Sequence, residues 1–190
     1  MDLKYLGIFV VILVVDSSVA EINPTLAVIK WKKLAATTVD NPYFGEFTTE
    51  ISKSEIGGSA KFLIKKSFTP TMKISITIER MGKQLLDFED DICELMKNEV
   101  YGKDMLNYGL PKDKFPHSCP VTPGDYEIRE YPLRNDNFFA GTPPGVYFIK
   151  LLIGEPEQDP FVTIDIMMDV MQEAPDVVPI PALPSPNFRG

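Results

Sequence analysis

The chain has 190 residues, a formal net charge of −8 at pH 7, two cysteines and a single histidine, His117. The acidic balance excludes nucleic-acid binding, which needs clustered cations. One histidine cannot supply a usual zinc site or a convincing catalytic triad. We therefore expect no enzyme activity, no metal and no cofactor, and a chain of this length fits one main domain.

The first 20 residues are predicted to be a signal peptide. Lys4 supplies the early positive charge, residues 6–15 are apolar, and Ser18 and Ala20 place small residues before a cleavage site. An apolar run of this length is shorter than the roughly 20 residues that span a bilayer, although a short membrane anchor is the alternative. The sequence therefore predicts a secreted, extracellular protein.

Alternating apolar and polar residues dominate the chain after that segment, which is typical of strands with one buried face. A break is predicted at Gly57-Gly58, and Pro-Gly turns are predicted to launch strands at Gly124 and Gly145. The other strands are predicted at residues 26–31, 47–51, 60–68, 71–79 and 161–170.

The period changes to that of a helix over residues 87–100, where Ile92, Leu95 and Met96 would share a buried face. The acidic residues 89–91 are interpreted as helix capping rather than as a calcium loop, because they lack alternating oxygen ligands and a central glycine. Residues 102–117 are predicted to be a loop.

About seven short strands and one helix predict a mostly β domain over residues 21–173, a two-layer β-sandwich or an open cup. Residues 174–190 contain repeated prolines and are predicted to be a disordered tail, with a polyproline ligand as the alternative. Cys93 and Cys119 would most simply form one disulfide in a secreted chain, and two free thiols are the alternative.

Four short motifs resemble a large insect family of secreted proteins that includes chemosensory B-type proteins. They are Asp91-Ile92-Cys93, Cys119-Pro120, Gly124-x-Tyr126 and Pro144-Gly145-Val146-Tyr147. That family is related to the ganglioside activator and to the wider lipid-recognition (ML) group. The resemblance implies a β-cup with a hydrophobic cavity for a lipid, and it implies that Cys93 pairs with Cys119.

The apolar rows of three predicted strands would line such a pocket, although similar rows also fill a solid core. These candidate ligand-binding residues are Met72, Ile74, Ile76 and Ile78; Tyr147, Ile149 and Leu151; and Val162, Ile164, Ile166 and Met168. Phe138 and Phe139 are further candidates, as a lid, as a contact with a membrane, or as a plug of the sandwich end.

We therefore expect a secreted carrier or sensor-accessory protein that binds a lipid or another apolar small molecule, such as a pheromone-like cuticular hydrocarbon. A receptor or a membrane surface would be the further partner. The alternative is a secreted interaction module, in reproductive fluid or on a receptor, with a solid core and no ligand. A hydrolase is disfavoured because His117 is the only available base.

Overall fold

The computed structural model of the protein describes residues 27–68, 71–99, 102–132 and 143–172. The predicted signal peptide, the proline-rich tail and the pair Phe138 and Phe139 lie outside these ranges. The domain boundaries at residues 20 and 173 therefore stay predictions.

The described residues form two antiparallel sheets and two short helices. In chain order the strands are β1 (Ala27–Thr38), β2 (Phe44–Ile51), β3 (Gly57–Ile64), β4 (Lys73–Arg80), β5 (Lys83–Asp91), β6 (Gly109–Leu110), β7 (Gly124–Pro132), β8 (Gly145–Gly154) and β9 (Val162–Gln172). Helices α1 (Ile92–Lys97) and α2 (Gly102–Leu106) lie between β5 and β6. The first sheet has the order β1-β9-β8-β4-β5 and the second the order β2-β3-β7-β6. The prediction of a mostly β, two-layer sandwich is confirmed.

Rows of apolar side chains across neighbouring strands form the inner face of the first sheet. Ile78 pairs with Ile149, Ile149 with Ile166, and Ile166 with Leu34 on β1. Residues directly opposite one another on antiparallel strands project to the same face, so these four side chains form one continuous row. The alternation predicted for β4, β8 and β9 thus becomes one apolar wall.

The inner face of the second sheet is aromatic. Phe47 on β2 lies opposite Phe62 on β3, and their rings stack with centroids 5.0 Å apart. Phe62 in turn lies opposite Tyr126 on β7, with ring centroids 6.1 Å apart. Aromatic rings extend further from a sheet than branched aliphatic side chains do. The inner faces of the two sheets therefore differ in side-chain size.

The two sheets meet closely along the side where β1 runs beside β2. The Thr49 hydroxyl donates a hydrogen bond to the Leu34 carbonyl oxygen over 2.9 Å and so joins the sheets directly. On the opposite side, α1 and α2 cover the space between β5 and β7. The sandwich is therefore closed at one side by strands and at the other by helices.

The predicted break at Gly57-Gly58 is wrong, because both residues are buried within β3. A Cβ on Gly58 would lie 3.0 Å from Leu34 Cδ2 and 3.1 Å from Trp31 Cζ3. The glycine therefore permits a close approach of the first sheet rather than a turn, a known use of glycine inside strands. The chain turns instead over residues 52–56.

The helix predicted over residues 87–100 is confirmed only over Ile92–Lys97, and its predicted start is wrong. Residues up to Asp91 belong to β5, and α1 begins only at Ile92. The acidic residues pair across the strands: Glu89 accepts from Ser75, and Asp91 lies 3.4 Å from the Lys73 ammonium. The side chain of Asp91 makes no cap hydrogen bond, so the capping interpretation fails as well.

The predicted loop over residues 102–117 contains α2 and β6. The strands after the two Pro-Gly pairs start at Gly124 and Gly145 as predicted. Only Gly145 has the positive φ expected at such a turn, at +138°, and Gly124 does not. A substitution at Gly145 would therefore strain the backbone, whereas Gly124 has no such requirement.

Candidate ligand-binding cavity

The buried side chains form two clusters rather than one. The first cluster includes Phe44, Met96 and Val162, and lies towards the helices. The second includes Trp31, Tyr147 and Met168. Ile164 is packed against both clusters and marks their boundary.

A cavity of about 240 Å³ lies between the sheets, in contact with both clusters. The first sheet lines it with Trp31, Leu34, Ile74, Leu151, Ile153, Ile164 and Ile166. The second sheet lines it with Phe44, Phe47, Thr49, Gly58, Ser59, Ala60, Phe62, Ile64, Ile128 and Tyr131. The helices and loops add Phe68, Ile92, Leu95, Met96, Gly102, Met105, Leu106, Phe115, Pro116 and Val121.

The helical wall is attached to the sandwich by the disulfide between Cys93 and Cys119, whose Cα atoms are 5.6 Å apart. Cys93 lies in α1 among residues that line the cavity, and Val121 follows Cys119 and lines it too. The pairing expected from the resemblance is confirmed. The bridge fixes the distance between the helical wall and the loop that leads into β7.

The cavity has no charged lining. None of its described lining residues is Asp, Glu, Lys, Arg or His. The Thr49 hydroxyl already donates to Leu34, and the Ser59 hydroxyl oxygen accepts from the Glu130 amide over 2.9 Å. A wall of this kind favours uncharged, apolar contents, because burying an unpaired charge there would be very costly.

The partly exposed lining side chains include Leu95 on α1, Met105 on α2 and Tyr131 at the end of β7. Methionine and leucine at the edge of a cavity can adopt other rotamers with little loss of packing. These side chains give the helical side of the cavity an adaptable wall.

The candidate residues named from the sequence occupy different places in the core. Ile74, Leu151, Ile164 and Ile166 line the cavity. Met72 and Val162 belong to the first buried cluster. Ile78, Tyr147, Ile149 and Met168 belong to the second cluster, and Ile76 packs against it while remaining partly exposed. Phe138 and Phe139 lie outside the described residues, so their role stays a prediction.

The lining that sequence reasoning missed comes from the second sheet and from the helical segment. The signal available for the second sheet was the alternation around Phe47, whose neighbours are polar; Phe62 is flanked by Lys61 and by the apolar Leu63, so its signal was weaker. No comparable signal existed for Leu106 and Phe115, because their segment was predicted to be a loop. Phe115 reaches the core by packing edge-on against Tyr126, with centroids 5.6 Å apart.

A larger groove of about 680 Å³ lies on the outer face of the second sheet. Charged side chains including Glu46, Lys61 and Glu127 border it, and it is open to solvent. The Arg129 guanidinium donates to Glu127 and lowers the pKa of that carboxyl below its usual value. This groove cannot exclude water from an apolar ligand, so the interior cavity is the better candidate despite its smaller volume.

We also considered a catalytic histidine, a metal site and a membrane-spanning helix in the described part of the chain. The His117 side chain is exposed, and its ring packs edge-on against Phe115. Within the described ranges, no group of three or more His, Cys, Asp or Glu residues could hold a metal ion. No helix among the described residues has the length and apolar character needed to cross a membrane.

Residues 71–149 match the model of a family described as a protein of unknown function (DUF1091). The matched part contains both cysteines and runs from β4 into β8, which is less than half of the chain. Among solved structures, chicken MD-1 complexed with lipid IVa aligns over 78% of this chain and 98% of that chain, with 14% sequence identity and a TM-score of 0.39. That likeness is too distant to assign a function. No curated protein matches the chain.

Proposed function

We propose that this protein is a secreted carrier or sensor-accessory protein that binds a lipid or another apolar small molecule between its two sheets. The observation that carries the proposal is the uncharged cavity of about 240 Å³ bordered by both buried clusters. Binding would occur by burial alone, without covalent chemistry. The motifs that resemble the insect family of secreted proteins, which is related to the lipid-recognition (ML) group, support the same function and a relationship to that group.

The free-energy cost of leaving an apolar cavity unfilled favours the binding of a ligand. Apolar walls left without contacts in a core are unfavourable, because an enclosed cavity costs about 24 cal/mol per Å³. A protein that keeps such a space open gains most of that energy back when an apolar molecule fills it.

The volume sets the size of the buried part of the ligand. Liquid water occupies about 30 Å³ per molecule, and a methylene group is of similar size, so 240 Å³ holds roughly eight methylenes. At about 0.8 kcal/mol per buried CH₂, that part of the ligand would contribute about 6 kcal/mol to binding. A longer ligand would extend past Leu95 and Met105 towards solvent.

A secreted location is supported by two features. The first 20 residues have the pattern of a signal peptide. The disulfide between Cys93 and Cys119 is typical of proteins that fold in an oxidising compartment. The alternative function, an interaction module with a solid core, is disfavoured by the open space at the boundary of the two clusters.

The proposal is tested by native mass spectrometry of the protein purified from secreting eukaryotic cells. We expect an adduct of an apolar small molecule that disappears after extraction with organic solvent and returns when a medium-chain alkane or ester is added. A folded protein that carries no adduct, and binds neither compound up to its solubility limit, would contradict the proposal. Circular dichroism after extraction provides the control for the fold.

A further inference from the structure

An exposed apolar patch lies on the outer face of the first sheet, away from the cavity. Val146 and Phe148 on β8 alternate with buried residues, so their side chains project outwards. Phe148 is 49% exposed and Val146 is 41% exposed. Met167 on β9 lies opposite Phe148 and therefore shares this face. Exposed apolar side chains grouped in this way indicate a surface that another segment or molecule covers.

The patch extends to the last residues of β9. Met171 lies four residues after Met167 and so projects to the same face, where it pairs with Val28 on β1. Asp169 is the charged residue between the two methionines, and Lys30 on β1 lies opposite it. Opposite charges therefore face each other across these two strands, and the apolar side chains remain as the surface to be covered. We call the following residues the outer patch: Val28, Val146, Phe148, Met167 and Met171.

The chain leaves the described structure at the edge of the outer patch. β9 ends at Gln172, one residue after Met171, and residues 173–190 follow outside the described ranges. Within them, residues 177–184 have the sequence Val-Val-Pro-Ile-Pro-Ala-Leu-Pro, which contains no polar side chain. Since the burial of apolar surface is favourable, this run and the outer patch are suited to cover each other.

The reach of this run fits the outer patch. Phe148 lies one strand across and five residues back from the end of β9, a distance of roughly 18 Å from strand spacing and rise. Chains with repeated prolines favour the polyproline II form, which rises about 3.1 Å per residue, so about six residues after Gln172 cover that distance. If the chain turns back after β9, residues 177–184 arrive at Phe148. Their prolines lack the N–H groups needed to continue the sheet as another strand.

We propose that residues 177–184 turn back and cover the outer patch of their own chain, packing across the Phe148 ring. Proline-rich segments dock on aromatic side chains in many protein complexes. A short tether keeps the segment at an effective concentration in the millimolar range, so a contact too weak to join separate molecules is sufficient here. A second copy of the protein lacks that advantage. The inference is independent of the proposed function, because no residue of the outer patch lines the cavity.

A nitroxide spin label on the full chain tests this contact. Both native cysteines are joined in the disulfide, so Ala182→Cys provides a single reactive thiol. Methionine labelled with ¹³C at its methyl group reports on the outer patch through Met167 and Met171. We expect both methyl resonances to lose most of their intensity when the label is paramagnetic and to regain it when the nitroxide is reduced. Met105 on α2, at the helical wall of the cavity, should keep its intensity.

Phe148→Ser in the labelled protein removes the largest side chain of the outer patch. Because Phe148 is exposed, we expect the fold to persist and the broadening of the Met167 resonance to be lost. Lys150→Ser is the matched control, since Lys150 is exposed on the same face of β8 two residues further along. This control should leave the broadening unchanged. If Phe148→Ser does not fold, the broadening in the chain that retains Phe148 decides alone.

Three results would overturn the inference. The first is a spin-labelled chain in which neither Met167 nor Met171 is broadened. The second is broadening that persists when the spin label and the ¹³C label are on separate molecules, because the outer patch would then bind a second copy. The third is an absence of broadening in solution together with binding to phosphatidylcholine vesicles that Phe148→Ser abolishes, because the outer patch would then contact a lipid surface.

Discussion

Replacement of Ala60 by leucine tests whether the space between the sheets is empty. Ala60 lies on β3, opposite Thr49 and Ile128, and its side chain lines the cavity. Leucine adds three carbon atoms, which at about 0.8 kcal/mol each should raise the free energy of unfolding of the ligand-free protein by about 2 kcal/mol. The same atoms displace ligand, so affinity should fall by about 2 kcal/mol, or roughly thirtyfold.

The sign of the stability change is the decisive result of this experiment. In a filled core the same substitution overpacks and destabilises by about 1–3 kcal/mol. Urea denaturation gives the stability, and titration monitored by Trp31 fluorescence gives the affinity. Ala35→Leu is the matched control, because Ala35 alternates with the inward Leu34 and pairs with Asp165 on the outer face. The control should change stability by no more than about 0.5 kcal/mol. A destabilised Ala60→Leu protein with unchanged affinity would refute the reasoning.

Three further predictions concern the disulfide, a buried tyrosine and a surface ion pair. Replacing Cys93 and Cys119 by serine opens a loop of 26 residues, so the free energy of unfolding should fall by about 3.5 kcal/mol. Urea denaturation measures this change. A loss below about 1 kcal/mol would show that the disulfide is not a major constraint. Burial raises the pKa of Tyr147, so the unfolded tyrosine ionises first and stability is lost as the pH rises above about 10. Tyr147→Phe should reduce the loss of unfolding free energy between about pH 8 and pH 11. An unchanged dependence on pH would contradict the raised pKa of Tyr147. Arg129→Ala should return the pKa of Glu127 towards its ordinary value in a carboxyl NMR titration, and no change would mean that the ion pair does not persist in solution.

The strands that could be predicted are those with one wet face and one dry face. On β4, Ile74 and Ile78 are buried, while Lys73 and Glu79 carry charge towards the outer side. This contrast recurs every second residue, so a window of a few residues is sufficient to recognise the strand. The acidic end of β5 has weaker contrast, and its residues 87–91 were assigned to a helix instead.

Long-range contacts explain the errors. The sequence shows glycine at positions 57 and 58, but it does not show which contact requires glycine there. The reason at Gly58 is the approach of Trp31 from the other sheet, which no local window contains. The acidic residues of β5 are strand residues because Lys73 and Ser75 on β4 lie opposite them. Local propensity is outweighed there by the partner strand.

The cavity could be predicted only in part. Alternation tells which side chains face inwards, but not whether the inside is filled. Leu151 and Ile149 lie on the same face of β8 and both contact the second cluster, but only Leu151 also lines the cavity. The side chains that meet the inner face come from the other sheet and from the helical segment, which lie far away in sequence.

Xenon binding tests the central claim most directly. Xenon enters dry apolar cavities and scatters X-rays strongly, so a crystal of the solvent-extracted protein under xenon pressure reveals any accessible space. We expect xenon between the two sheets, within contact of Phe62, Leu106 and Ile164. Interlocked side chains with no xenon at that position would contradict the account.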